Sequence, residues 1–196
     1  MAAYKARAMR RRLAAAAALV ACLGASACST KAPVYQASLE NVQTLSGLGP
    51  VRAAVGTVKL DERDDGSMSR ISVRGLSIES PYPGGYAEHL AEALRADLAA
   101  AGKLDPKAPR TINAVMMANR LDASGVKVGI AEIAARFTVT DGRRVLYDKR
   151  HEARHEWESS FMGALAAMNA IQHYNVTVQK LVGQLFSDAA FKQALE

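Results

Sequence analysis

No apolar stretch in this chain is long enough to cross a membrane as a permanent helix. The longest, Leu13–Gly24, has 12 residues, against the roughly 17–25 that a hydrocarbon core requires. A clustered basic surface is missing as well. The net charge is +6, but Lys5, Arg7, Arg10, Arg11 and Arg12 lie in the first 27 residues, which carry no acid. The rest of the chain is within one charge of neutral, which excludes a duplex nucleic-acid binder. No repeat of 20–50 residues recurs, so a solenoid or propeller is excluded. What remains is ordinary: 49% hydrophobic and 22% charged residues over 196 positions. That suits one globular domain with a proper core.

The first residues form three zones: the cationic Met1–Arg12, the apolar Leu13–Gly24, and the small Ala25-Ser26-Ala27 before Cys28. This order reads as a secretory leader. Ala25-Ser26-Ala27-Cys28 resembles a bacterial lipobox, whose cysteine becomes the acylated first residue of the mature protein. Leu19-Val20-Ala21-Cys22 is a competing match with the better leucine. Cys28 is preferred because it leaves a fuller apolar zone and is followed at once by polar Ser29-Thr30-Lys31-Ala32-Pro33. Cys22 then leaves with the leader, Cys28 carries acyl chains such as palmitate, and no thiol remains for a disulfide, a zinc site or a nucleophile. By the same resemblance, Ser29 after the cysteine implies the outer membrane, with the body facing the periplasm. The expected organisation is a signal peptide over 1–27, a lipidated end and tether over 28–50, and one α+β domain over 51–196.

Within the body, Val51–Leu60 reads as a strand, Asp61–Ser69 as a charged loop, and Ile71, Val73, Leu76 and Ile78 as a weaker strand. Tyr86–Ala101 has apolar residues at helical spacing, with Gly102 placed to cap it. Thr111–Leu121 is apolar on both faces, hence a central strand. Val126–Val139 and Arg143–Trp157 form a long hairpin around Thr140-Asp141-Gly142. A three-residue loop with Gly142 left-handed would oppose Phe137 to Val145, Ala135 to Tyr147, Ile133 to Lys149 and Ala131 to His151. Ser159 or Ser160 would cap a final helix over about 161–186, its apolar face made of Phe161, Leu165, Met168, Tyr174, Val178, Leu181 and Leu185. The order β-β-α-β-β-β-α predicts a mainly antiparallel sheet with helices packed on one face.

His151-Glu152-Ala153-Arg154-His155 matches the H-E-x-x-H pattern. Zincin chemistry needs it on a helix, where both histidines converge on one ion beside the glutamate. Here even positions from Arg144 to Glu156 are almost all charged and odd ones apolar or amphipathic, a period of two. On a strand the histidines lie roughly 13 Å apart. A zinc peptidase is therefore the weak alternative, and no cofactor or metal is expected. Asp61, Glu62, Asp64 and Asp65 lack calcium-loop spacing. Tyr82, Gly84, Gly85 and Tyr86, before a helix, can expose rings and backbone N–H groups as a binding loop, although a plain connector accounts for them too. Met116 and Met117 read as core filler, unless with helix residues they line a groove for a small amphiphile.

From Tyr86 to Phe191, together with the leader and Cys28, the chain resembles the YajG-like bacterial lipoproteins. The features are the helix ending at Ala101-Gly102, the glycine-turned hairpin with Tyr147, and Trp157, Ser160, Phe161 and Ala164 leading into the long helix closed by Asp188 and Phe191. The layout is more distantly similar to penicillin-binding-protein activator lipoproteins and the TolB amino-terminal domain. These resemblances imply an envelope protein partner and no catalysis, and they transfer no functional residue. The expectation is a non-enzymatic module held to a membrane through Cys28. The alternative is an auxiliary lipoprotein of a lipid or solute transport system. Oligomeric state is left open.

Overall fold

The computed structural model describes residues 29–125 and 127–196. The leader with Cys22 and Cys28, and Val126 at the expected start of the hairpin, lie outside them. The chain runs β1 (Ser29–Lys31), α1 (Leu39–Ser46), β2 (Ala54–Leu60), β3 (Ile71–Val73), β4 (Leu76–Glu79), α2 (Gly85–Ala100), β5 (Arg110–Asp122), β6 (Val128–Asp141), β7 (Arg144–Glu158), α3 (Gly163–Ser187) and α4 (Ala189–Leu195). The main sheet has the order β2-β5-β6-β7, with β2 parallel to β5 and the other pairs antiparallel. The α+β architecture and the central place of β5 are as the sequence implies.

α2 and α3 cover one face of this sheet. Tyr86, Leu90, Leu94 and Leu98 of α2 are buried with Ile112, Ile133 and Phe137 of the strands. Gly102, with φ of +68°, ends α2 in the left-handed conformation that costs glycine little. The other face carries charge in pairs: Arg136 with Asp148, Arg150 with Glu152, and Arg154 with Glu132 and Glu156. Period-two alternation thus separates the core face from a solvated one.

Three expectations are corrected. First, the hairpin turns through Gly142-Arg143, with Asp141 opposite Arg144, and an irregularity at Leu146 restores odd-to-odd pairing. Phe137 opposes Lys149, Val139 opposes Tyr147, Ala135 opposes His151 and Ala131 opposes His155. Hydrophobic matching determines which face each residue takes, but a slide by an even number of positions preserves that face. Second, Phe161 precedes α3 and is 84% exposed, while Leu165 and Met168 of α3 are 40% and 54% exposed. Nine residues span two and a half helical turns, so Leu165 points away from Tyr174. Alanines 167 and 170 take the inward places, and Ser160 caps only the backbone N–H of Met162.

Third, residues 29–50 are not a tether. β1 pairs in parallel with β4, which pairs with β3, in a second, three-stranded sheet. α1 lies against α2 and α3, and Ala32, Tyr35 and Leu45 are buried in the common core. A polar start and a proline concealed two short elements that only the tertiary contacts stabilise. The single weak strand expected over 71–78 is in fact a β3–β4 hairpin, turned at Arg74 and Gly75, which both have positive φ.

Candidate functional site

The H-E-x-x-H residues lie on β7, where each histidine has its own partners. His151 Nε2 is 2.6 Å from the Tyr147 hydroxyl. That hydroxyl donates to Asp188 at 3.2 Å, and Lys149 approaches the same carboxylate at 3.0 Å. Burial, with the Asp188 charge beside it, raises the Tyr147 pKa. Desolvation would raise Asp188 too, but Lys149, the Ala190 N–H and Tyr147 together bring it below the ordinary value. Asp188 also accepts from Ala190 N at 2.8 Å, capping α4. This cluster ties the hairpin to the C-terminal helices.

His155 faces a different element. Lys180 of α3 donates to its Nδ1 at 2.8 Å, which leaves the proton on Nε2 to donate to His173 Nδ1 at 2.9 Å. Trp157 stacks on His173 with ring centres 4.7 Å apart. Burial first, then the Lys180 ammonium, holds both histidines below the ordinary pKa. Glu152 pairs with Arg150 at 2.5 Å on the solvated face, opposite to the histidines. Among the described residues, no group of three or more His, Cys, Asp or Glu is placed to hold a metal ion. The arrangement is one of strand-to-helix contacts.

Of the expected binding-loop residues, Tyr86 is buried at 2% exposure and its hydroxyl donates to Ile78 O at 2.6 Å. The Tyr82 hydroxyl accepts from Tyr35 N at 3.1 Å, and its ring meets His89 edge-on. The expectation of an exposed ring is therefore corrected for Tyr86, which ties α2 to β4, while the half-buried Tyr82 holds the segment after β1 and packs against His89 of α2. Gly84 stands at the N-cap of α2, and Gly85 opens the helix with φ of +72°.

Met116 and Met117 do not share a groove with helix residues, the arrangement that would have favoured a small amphiphile. Met116 is buried, and Met117 borders an open hollow of about 740 Å³ whose other lining includes Asp61, Arg63, Asp65, Arg70 and Arg120. The wall is charged because residues of the 61–70 loop line it beside Met117, where the register of β5 against β6 shifts.

Two polar groups that sequence reasoning passed over sit under α1 and the segment before it. Asp97 is fully buried and accepts from the Tyr35 hydroxyl at 3.0 Å, Ser38 N at 2.9 Å and Asn41 Nδ2 at 2.7 Å. Burial raises its pKa against the lowering effect of those donors. His89, also fully buried, is ringed by Tyr35, Tyr82, Tyr86 and Tyr174 and meets Asn175 Oδ1 at 2.9 Å. Desolvation pulls its pKa down to about 4. The available signal was an acid at the i+3 position after Leu94 on an otherwise apolar helical stripe.

No protein-family model and no curated protein matches the chain. Solved structures do. A Xanthomonas campestris protein of the DUF330 family aligns with a TM-score of 0.52 at 15% identity, over 81% of this chain and 94% of its own. A Caulobacter crescentus protein described as a lipoprotein gives 0.46 at 11% identity, over 80% and 97%. A minor lipoprotein from Acinetobacter baumannii gives 0.42 at 10% identity, over 74% and 95%. The first of these likenesses shows that this chain shares the fold of that DUF330 protein. Among the described residues, no helix is long and apolar enough to cross a membrane.

Proposed function

We propose that this protein is a non-catalytic lipoprotein of the bacterial envelope, acylated on Cys28 and held at the outer membrane facing the periplasm, where it binds an envelope protein. The observation that carries the reading is the pairing of Ser29 with Ser77. Ser29 follows Cys28 directly in the chain, so a lipid on Cys28 would be carried by the residue next to a strand of the folded body. The lipoprotein descriptions attached to the Caulobacter and Acinetobacter structures and the YajG-like layout agree with it. Metabolic labelling with a palmitate analogue tests the anchor. Label and membrane association should be lost in Cys28→Ser and kept in Cys22→Ser; the reverse pattern would move the lipid to Cys22. Crosslinking in intact cells, followed by identification of the captured protein, tests the partner.

A further inference from the structure

The largest exposed apolar side chains of α3 and its approach sit at the end of the molecule where the chain enters the fold. Phe161 and Met162 are 84% and 62% exposed, and Leu165 and Met168 continue the stripe along α3. The parallel register Ser29 with Ser77 brings β1 in beside the start of β4, next to the Arg74-Gly75 turn. Arg74 reaches from that turn and donates to Phe161 O, Ala123 O and Gly125 O, each at 3.0 Å. Ser159 N donates to Lys127 O at 2.9 Å. The entering strand, the β3–β4 turn, the β5–β6 loop and the β7–α3 junction therefore gather at one end.

Arg74 is the one non-glycine residue at positive φ among those described, at +50°. A side chain in that region is strained and persists where its contacts over-determine it. Three accepted hydrogen bonds do that here, holding the Phe161 carbonyl to the turn beside the entering strand. Cys28 directly precedes Ser29 in the chain. A lipid on Cys28 would hold this end, and not the hairpin end, against the bilayer.

We propose that Phe161 and Met162, continued by Leu165 and Met168, form a membrane-seating surface that inserts among the headgroups of the leaflet holding the Cys28 lipid. This rests on the acylation of Cys28 proposed above. An exposed apolar patch marks an interaction surface, and a tether as short as one residue makes its contact with the membrane intramolecular, so a small patch suffices. Exposed Lys127, beside the same junction, brings a cation to the phosphate level. The body is then seated in one orientation, with its charged sheet face and hairpin end turned to the periplasm.

The test uses the full-length acylated protein, purified from membranes and reconstituted in phosphatidylethanolamine–phosphatidylglycerol vesicles. Mass spectrometry first establishes the lipid on Cys28, which leaves no free thiol in the mature chain. A nitroxide is then placed on Met162→Cys or, at the opposite end ahead of β5, on Lys107→Cys. Collisions with oxygen and with a water-soluble nickel chelate are measured for each. Seating predicts several-fold poorer nickel access and better oxygen access at 162 than at 107, with nickel access at 162 restored by Phe161→Asp. Equal, water-like access at both sites in acylated protein would overturn the proposal and leave the anchor intact. Water-like access at 162 in vesicles but protection in native membranes would assign the patch to a protein and overturn it too. Absence of lipid on Cys28 would remove both readings.

Discussion

Two regions depart from the rule of apolar inside and polar outside, and they do so in opposite senses. Under α1, an aspartate and a histidine are fully buried. At the start of α3, a phenylalanine and a methionine stand in solvent. The buried pair is used within the chain: Asp97 accepts three hydrogen bonds from the 35–41 segment, and His89 fills a box of tyrosines. The exposed pair takes part in the fold through its backbone, with Phe161 O held by Arg74, Met162 N by Ser160 and Met162 O by Ala166 N, while its side chains stand in solvent. Asp97 is satisfied by its neighbours, whereas His89 is bonded only through Nε2 and keeps Nδ1 buried without a partner, a cost that its neutral form limits. The exposed apolar groups present a patch of the kind that marks interaction surfaces. The first region joins elements of the fold, and the second is the one we propose to face the membrane.

The largest test of that division is removal of residues 29–50. A chain starting at Val51 loses Tyr35, Asn41 and Leu45, strips Asp97 of its donors and uncovers α2. It should show no cooperative urea transition; a normal transition would return the segment to the status of a tether. Next, Asp97→Ala in the full chain should cost about 3 kcal/mol by denaturant unfolding, because buried donors on Tyr35, Ser38 and Asn41 lose their acceptor. A cost below about 0.5 kcal/mol would mean that water replaces the carboxylate and that the region is less enclosed than its burial indicates.

Acid should expose the same region. The folded pKa of His89 lies at about 4, below its ordinary value near 6.5. Its neutral form is accommodated at pH 6.5 and above, so its contribution is fully present there. As pH falls from 6.5 to 4, the unfolded chain takes up a proton that the folded chain refuses. Stability drops over that window by up to about 3 kcal/mol and levels below it. Comparing urea midpoints across pH for the parent and His89→Phe isolates this slope from those of His151, His155 and His173, which share its sign. A parent and variant with parallel profiles would place the titration elsewhere. The smallest effect belongs to Phe161→Ser, which should leave stability within about 0.5 kcal/mol. A loss of several kcal/mol would mean that this ring supports the fold after all.

How much of this was legible varies with the range of the cause. α2 and β5 could be read because their patterns repeat over many residues. The strand character of His151–His155 was visible in the alternation of charged and uncharged neighbours, and that excludes a shared ion by distance. The hairpin was legible in face but not in register, since pairing slides in steps of two without moving any side chain to the other side. β1 and α1 were hidden because a three-residue strand and an eight-residue helix carry too little periodic signal. Asp97 and His89 were passed over because an acid or a histidine on a helix says nothing of what will cover it.

By itself the sequence determined the leader pattern, the two cysteines from which a lipid site must be chosen, the α+β class, and the inward face of α2 and of the hairpin strands β6 and β7, but not that of α3. All of these depend on residues near one another along the chain, or on a period of 2 or 3.6. The tertiary structure alone decided that residues 29–50 belong to the core, that Asp97 gathers their donors, and that Phe161 emerges at the end where the chain enters the fold. Those outcomes join positions as far apart as Arg74 and Phe161 or Asn41 and Gln179. No local pattern encodes such pairs, because they come into reach only when the sheet and helices have closed on one another.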